Sequence, residues 1–211
     1  LRGSLRARLI WLGMIGYTLY SYILYAFFVR FNSLFLVYAG TLALTLYTLI
    51  GTIYTTDQNT VRDAVLANHE NPVKFRRRNA IILFSIAGIF FLLWLSEIVP
   101  ALQAGITPQS VLDNGLPTNP VHVLDLTFLL PGLVIVGILL LKDHPLAYVI
   151  TPIFFGYAAM LGLAIIAMVI LLTQQGYPVV IPQVVIFAMM TILNTIFLLN
   201  YTKGLGMNKV R

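Results

Sequence analysis

Two carboxylates, Glu97 and Asp125, fall inside long apolar runs. A charge there is expensive and therefore informative. The other five acids, Asp57, Asp63, Glu70, Asp113 and Asp143, fall between such runs. Glu97 stands four to five residues before the end of one run, and Asp125 about four residues into the next. At the rise of a helix, both sit about 6 Å below the same membrane surface. His122 precedes Asp125 by three residues and shares its helix face, and Trp94 stands one turn before Glu97. Arg30 is the single basic residue on that side. The expectation is an outward-facing polar pocket built from Arg30, Glu97, His122 and Asp125. Two close carboxylates would share a proton or hold a cation there, because both cannot ionise freely in a low dielectric. Two structural readings stand beside it. Arg30 could pair with a carboxylate and fix helix packing, or charges so near the surface could reach water by themselves.

A second polar signal is the series Thr41, Thr45, Thr48 and Thr52, with Tyr38 one turn earlier. These residues share one helix face, which either lines a polar path or packs on a neighbour. Tyr17, Ser21 and Tyr25 of the preceding run, and Asn194 with Thr191 of the last, are further polar contacts of the same kind. Pro131–Gly132 interrupts one run and Pro152 another. Pro131 cannot donate to the Thr127 carbonyl, so a kink or local widening is predicted there. Ala158 and Gly162 form a small pair suited to close helix packing.

Several chemistries find no residues. There is no Cys, hence no disulfide, thiolate ligand or Cys nucleophile. Of the three histidines, His69 and His144 fall in loops, so no facing pair could ligate a haem. No Lys lies inside an apolar run to form a retinal Schiff base, and no HExxH, GxSxG or P-loop occurs. No catalytic residue, metal site or cofactor is implied, and an enzyme is the less favoured reading.

The elements that position these residues follow from composition. Of 211 residues, 59% are hydrophobic and 9% charged, against about 25% charged in soluble domains. So little charge cannot cover so apolar a core in water, and the chain belongs in a bilayer. Six runs reach the length needed to cross one, at about 9–29, 31–54, 80–102, 121–141, 146–172 and 181–201. The fold class is an all-α, polytopic bundle of about six transmembrane helices in a single domain, 1–211. The runs are continuous and too long for barrel strands. The chain begins at Leu1, which reads as a fragment, a processed form or part of a longer protein; its first apolar run has span length.

Charge fixes the orientation. Twelve of the thirteen Lys and Arg fall before the first run, between the second and third, between the fourth and fifth, or after the last. The positive-inside rule puts both termini in the cytoplasm. Lys74, Arg76, Arg77 and Arg78 form the densest basic cluster, for which anionic lipid headgroups are a better partner than nucleic acid. The loop 55–78 is predicted to hold a short helix capped by Thr56 or Asp57 and ended at Asn71–Pro72. Its apolar face, Val61, Ala64 and Val65, would lie on the membrane. In the loop 103–120, Thr107–Pro108 and Asn114–Gly115 bracket a second short helix over the outer mouth.

The stretches YTLYSYILYAFFVRFNSLFLVYAGTLALTLYTLI, from Tyr17 to Ile50, and HVLDLTFLLPG, from His122 to Gly132, resemble uncharacterised multi-pass bacterial membrane proteins. The resemblance covers about a quarter of the chain. It implies a bacterial cytoplasmic membrane and no particular activity. Three functions are open: binding of a small ligand, lipid or cation in the outward pocket, with transport as a use; a non-catalytic helical subunit among other membrane subunits; and a membrane-embedded enzyme using His122, Asp125 and Glu97. Transporter folds commonly contain inverted repeats, and none is evident here, which favours the subunit over transport.

Overall fold

The computed structural model describes residues 4–176 and 181–205. Arg2, Lys209 and Arg211, used above for orientation, lie outside the described residues. Among those described the only regular secondary structure is helix, with no strand. The helices are α1 (Leu5–Phe28), α2 (Phe35–Tyr54), α3 (Gln58–Ala67), α4 (Pro72–Ala104), α5 (Gln109–Asn114), α6 (Pro120–Leu124), α7 (Leu130–Leu141), α8 (Pro145–Gln174) and α9 (Ile181–Tyr201). A π-helical turn, Asp125–Leu129, joins α6 to α7 without a break. Six helical segments are long and apolar enough to cross a membrane: α1, α2, α4, α6 through α7, α8 and α9. Their outer faces carry large apolar side chains such as Leu36, Tyr47, Leu92 and Phe128, each at least 69% exposed. A water-soluble bundle turns such faces inward, so this is the architecture of a multi-pass membrane protein.

Helix α8 is the axis of the bundle. It packs on α1, α9, α3 and α7, while α4 packs on α7 and α2 on α1. Glycine decides the closest crossing. A Cβ on Gly13 of α1 would lie 2.7 Å from the Gly156 Cα of α8, so the two backbones touch. Gly162 of α8 likewise admits α9, since a Cβ there would stand 2.9 Å from the Phe187 carbonyl. Small residues permit this approach in a medium where no hydrophobic force drives helices together.

The core is densest at the end of the bundle that carries the basic residues. Leu9, Leu12, Leu83, Leu140, Val149 and Phe155 are fully buried there. Helix α3 closes this end. The Asp57 carboxylate accepts from the Asn59 and Thr60 N–H groups at 3.1 and 3.2 Å and so caps it. Its apolar face does not lie on a membrane surface as the sequence predicts. Val61 and Val65 are 2% and 0% exposed and pack into the protein core, because α8 offers them a protein partner.

The region after α3 also differs from expectation. Asn71–Pro72 begins a helix instead of ending one. Asn71 Oδ1 accepts from the Lys74 N–H at 2.9 Å and Pro72 takes the first turn, so α4 runs 33 residues to Gly105. Lys74, Arg76, Arg77 and Arg78 therefore stand on the opening turns of α4, not in a loop. At the opposite end, Gly105 and Gly115, with φ of 64° and 59°, stop α4 and α5.

Candidate functional site

The π-helical turn sets Asp125. Leu130 N–H bonds to the Asp125 carbonyl five residues back, and Pro131 has no N–H. The Leu126 carbonyl thus has no helical donor at either i+4 or i+5, the disturbance that the proline implies. The Asp125 side chain is 4% exposed. Its Oδ1 accepts from the Tyr20 hydroxyl of α1 at 2.8 Å, and its Oδ2 from the Trp94 indole N–H of α4 at 2.9 Å. No Lys, Arg or His pairs with it among the described residues. Hydrogen bonds to a charged group contribute about 1.5–3 kcal/mol each. Two of them are comparable with the several kcal/mol that burying an ion costs. Loss of either donor would leave that cost unmet.

His122 lies on the other side of Trp94, with ring centroids 4.5 Å apart. Its Nε2 is 3.5 Å from Glu97 Oε2 and 3.4 Å from Asn119 Nδ2. The Asn119 amide is oriented by its own capping role, because its Oδ1 accepts from the Val121 and His122 N–H groups. The two neighbours favour opposite states of the same nitrogen. A protonated Nε2 donates to Glu97, and a bare Nε2 accepts from Asn119. Asn119 Nδ2 also donates to Ser110 Oγ at 3.0 Å, and Ser110 N–H lies 3.4 Å from Glu97 Oε1, which ties α5 to the group.

A cavity of about 540 Å³ opens beside His122, lined also by Thr107, Thr118, Asn119, Leu126 and Thr127. This is within the size range of small-molecule sites. A second cavity of about 70 Å³ lies deeper, lined by Asp125, Tyr157, Asn194 and apolar residues of α4, α7 and α8. The Tyr157 hydroxyl faces Tyr20 and Asp125, and among the described residues neither it nor Asn194 Oδ1 has a hydrogen-bond partner. A space of this size holds about two waters.

The structure brings together three of the four expected site residues. Glu97 and His122 meet, and Asp125 is reached through Trp94. The two carboxylates do not share a partner, since Glu97 turns to His122 and α5 while Asp125 turns to α1 and α4. Arg30 is not brought to the group. It is exposed at the α1–α2 turn and has no acidic partner among the described residues. On the threonine face of α2 the Thr45 hydroxyl is turned onto the helix backbone. Buried Thr45 donates to the Thr41 carbonyl at 2.8 Å, and Arg8 of α1 reaches the Thr52 carbonyl at 3.5 Å. Tyr38 stacks on Tyr25 with centroids 5.4 Å apart. Thr41 and Thr48 are half-buried on the same face.

Tyr20, Tyr157 and Asn194 complete the polar interior. Sequence gives Tyr20 no distinction among the tyrosines of α1. Asn194, an amide in an apolar helix, was the visible signal.

At the basic end Asp143, in the α7–α8 turn at φ 57°, gathers three donors. Arg62 Nε stands at 3.0 Å, Arg76 Nη1 at 2.8 Å and the Tyr148 hydroxyl at 2.7 Å. Hydrogen bonds from Arg62 first, then from Tyr148 and Arg76, hold its carboxyl well below the usual carboxylate range. This knot joins α3, α4 and α8.

No family model, curated protein or solved structure matches the chain.

Proposed function

We propose that this chain is a multi-pass protein of a bacterial cytoplasmic membrane that binds a small ligand in an outward-facing polar pocket. The split of basic residues supports the orientation, with the basic end in the cytoplasm and α5 outside. The observation that carries the binding reading is the cavity of about 540 Å³ with His122 in its wall. His122 Nε2 there stands between an acceptor, Glu97, and a donor, Asn119. A ligand that hydrogen-bonds His122 would exchange one of these partners for itself. Asp125 then responds through Trp94, which touches both residues. Transport is the use that such coupling between an outer pocket and a buried carboxylate would serve.

A thermal-unfolding screen tests this with the purified protein against monovalent cations, small organic anions and soluble lipids. At a ligand concentration one hundred times Kd, the expected stabilisation is about 2.7 kcal/mol. The same ligand should stabilise His122→Ala much less. An equal shift in both proteins, or no shift with any class, contradicts the pocket.

A second reading, a helical subunit of a larger membrane complex, rests on α2. Leu36, Leu44, Tyr47 and Tyr54 of α2 are at least 71% exposed, which leaves a broad face for another subunit. Purification of a single stable partner dependent on that face would favour it.

A further inference from the structure

We propose that the groove between the opening turns of α4 and the end of α7 binds the phosphate of one anionic phospholipid, with the start of an acyl chain on its apolar floor. The groove has a volume of about 300 Å³ and is lined by Val73, Arg76, Arg77, Ala80, Phe84 and Leu141. Its polar rim carries uncompensated positive charge. Asp143 is shared between Arg62 and Arg76, and Asp63 is engaged by Arg62. That leaves Lys74 and Arg77 with no acidic partner among the described residues. Arg78 is turned away over the Phe75 ring. Arg76 is anchored by the carboxylate at 2.8 Å, which holds one guanidinium in place at the groove. A guanidinium fork matches phosphate oxygens in pairs, as an ammonium cannot.

The floor argues for a lipid over free phosphate. Ala80 and Phe84 follow Arg76 and Arg77 one and two turns further along α4, inside its apolar stretch. At the deep end Phe84 lies against Gly137 of α7, where no Cβ leaves room for its ring. Ile81 and Leu141, at 52% and 49% exposure, form the open flank. A phosphate at the rim therefore has hydrocarbon directly beneath it, the arrangement of a glycerophospholipid at a membrane boundary. This site is at the opposite end from the proposed ligand pocket and does not depend on it.

Native mass spectrometry of the full chain, delipidated and then offered phosphatidylglycerol and phosphatidylcholine in competition, tests the assignment. One phosphatidylglycerol should remain bound in preference to phosphatidylcholine. Arg77→Gln should weaken its retention about tenfold, the equivalent of one charge-assisted hydrogen bond, and Arg77→Lys should restore part of it. Arg6→Gln removes the same charge from an exposed position on α1 at the same end, and retention should not change. Leu141→Asn, on the exposed flank, should weaken retention with all charges kept. Equal retention of the two lipids overturns the proposal. So does an equal loss in Arg6→Gln and Arg77→Gln, which would mark diffuse attraction to a basic surface. Displacement of the lipid by glycerol 3-phosphate or inorganic phosphate would assign the rim to a free anion instead.

Discussion

Asp125 is the residue whose surroundings depart furthest from what an apolar helix provides. It is buried with no cationic partner among the described residues, and two donors from α1 and α4 hold it. Tyr20→Phe or Trp94→Phe should each lower stability by about 1–3 kcal/mol, since a buried acceptor loses its donor. Adding Asp125→Asn to either should recover part of the loss, because a neutral amide needs less compensation. Thermal unfolding of the four variants in one detergent measures this. If both single variants are neutral, the carboxylate is solvated in some other way. Asp143 makes a different prediction. Its carboxyl is held below the usual range by Arg62, Tyr148 and Arg76. A depressed value means that the ionised form is favoured by folding, so the contribution is present above the unfolded value of about 3.9. It is lost as pH falls below that point. Asp143→Asn should therefore unfold more easily at neutral pH and show a weaker dependence on pH below about 4. An unchanged acid profile would contradict the role of the knot.

At the scale of elements, packing is decided by where backbones touch. Gly156→Val sets a branched side chain against the Gly13 backbone, which has no flexible end to move aside. The expected cost is about 1–3 kcal/mol or more, with loss of the α1–α8 contact. Normal stability of this variant would show that the crossing tolerates separation. The six spans were legible in the sequence because twenty consecutive apolar residues allow few alternatives. The widening near Pro131 was legible too, since a missing N–H must disturb the helix whatever surrounds it. The role of Asn71–Pro72 was not. An Asn–Pro pair suits both the end of one helix and the cap of the next, and only the hydrogen bond to Lys74 distinguishes them. The apolar face of α3 suits a membrane surface and a protein core equally, because amphipathicity gives a direction, not a partner.

Over the whole molecule the same limit explains which site residues were found. Spacing along a span gives depth, so Glu97, His122 and Asp125 could be placed at one level. It does not give the identity of the neighbour at that level. Tyr20 reaches Asp125 across 105 residues of sequence, and no local pattern announces it. Arg30 lies at the correct end but on a hairpin tip that the bundle does not fold over. The polar interior thus joins α1, α4, the π-helical turn and α8, while the basic end is tied by Asp143. If the pocket beside His122 opens to the outside, the two ends of the molecule face different compartments. The chain has no Cys, so single cysteines report this directly. Thr107→Cys, in the pocket rim, and Glu70→Cys, between α3 and α4, are to be exposed in intact cells to a membrane-impermeant thiol reagent. Thr107→Cys should be labelled from outside, and Glu70→Cys only after the membrane is opened. Labelling of Glu70→Cys but not Thr107→Cys in intact cells would contradict it.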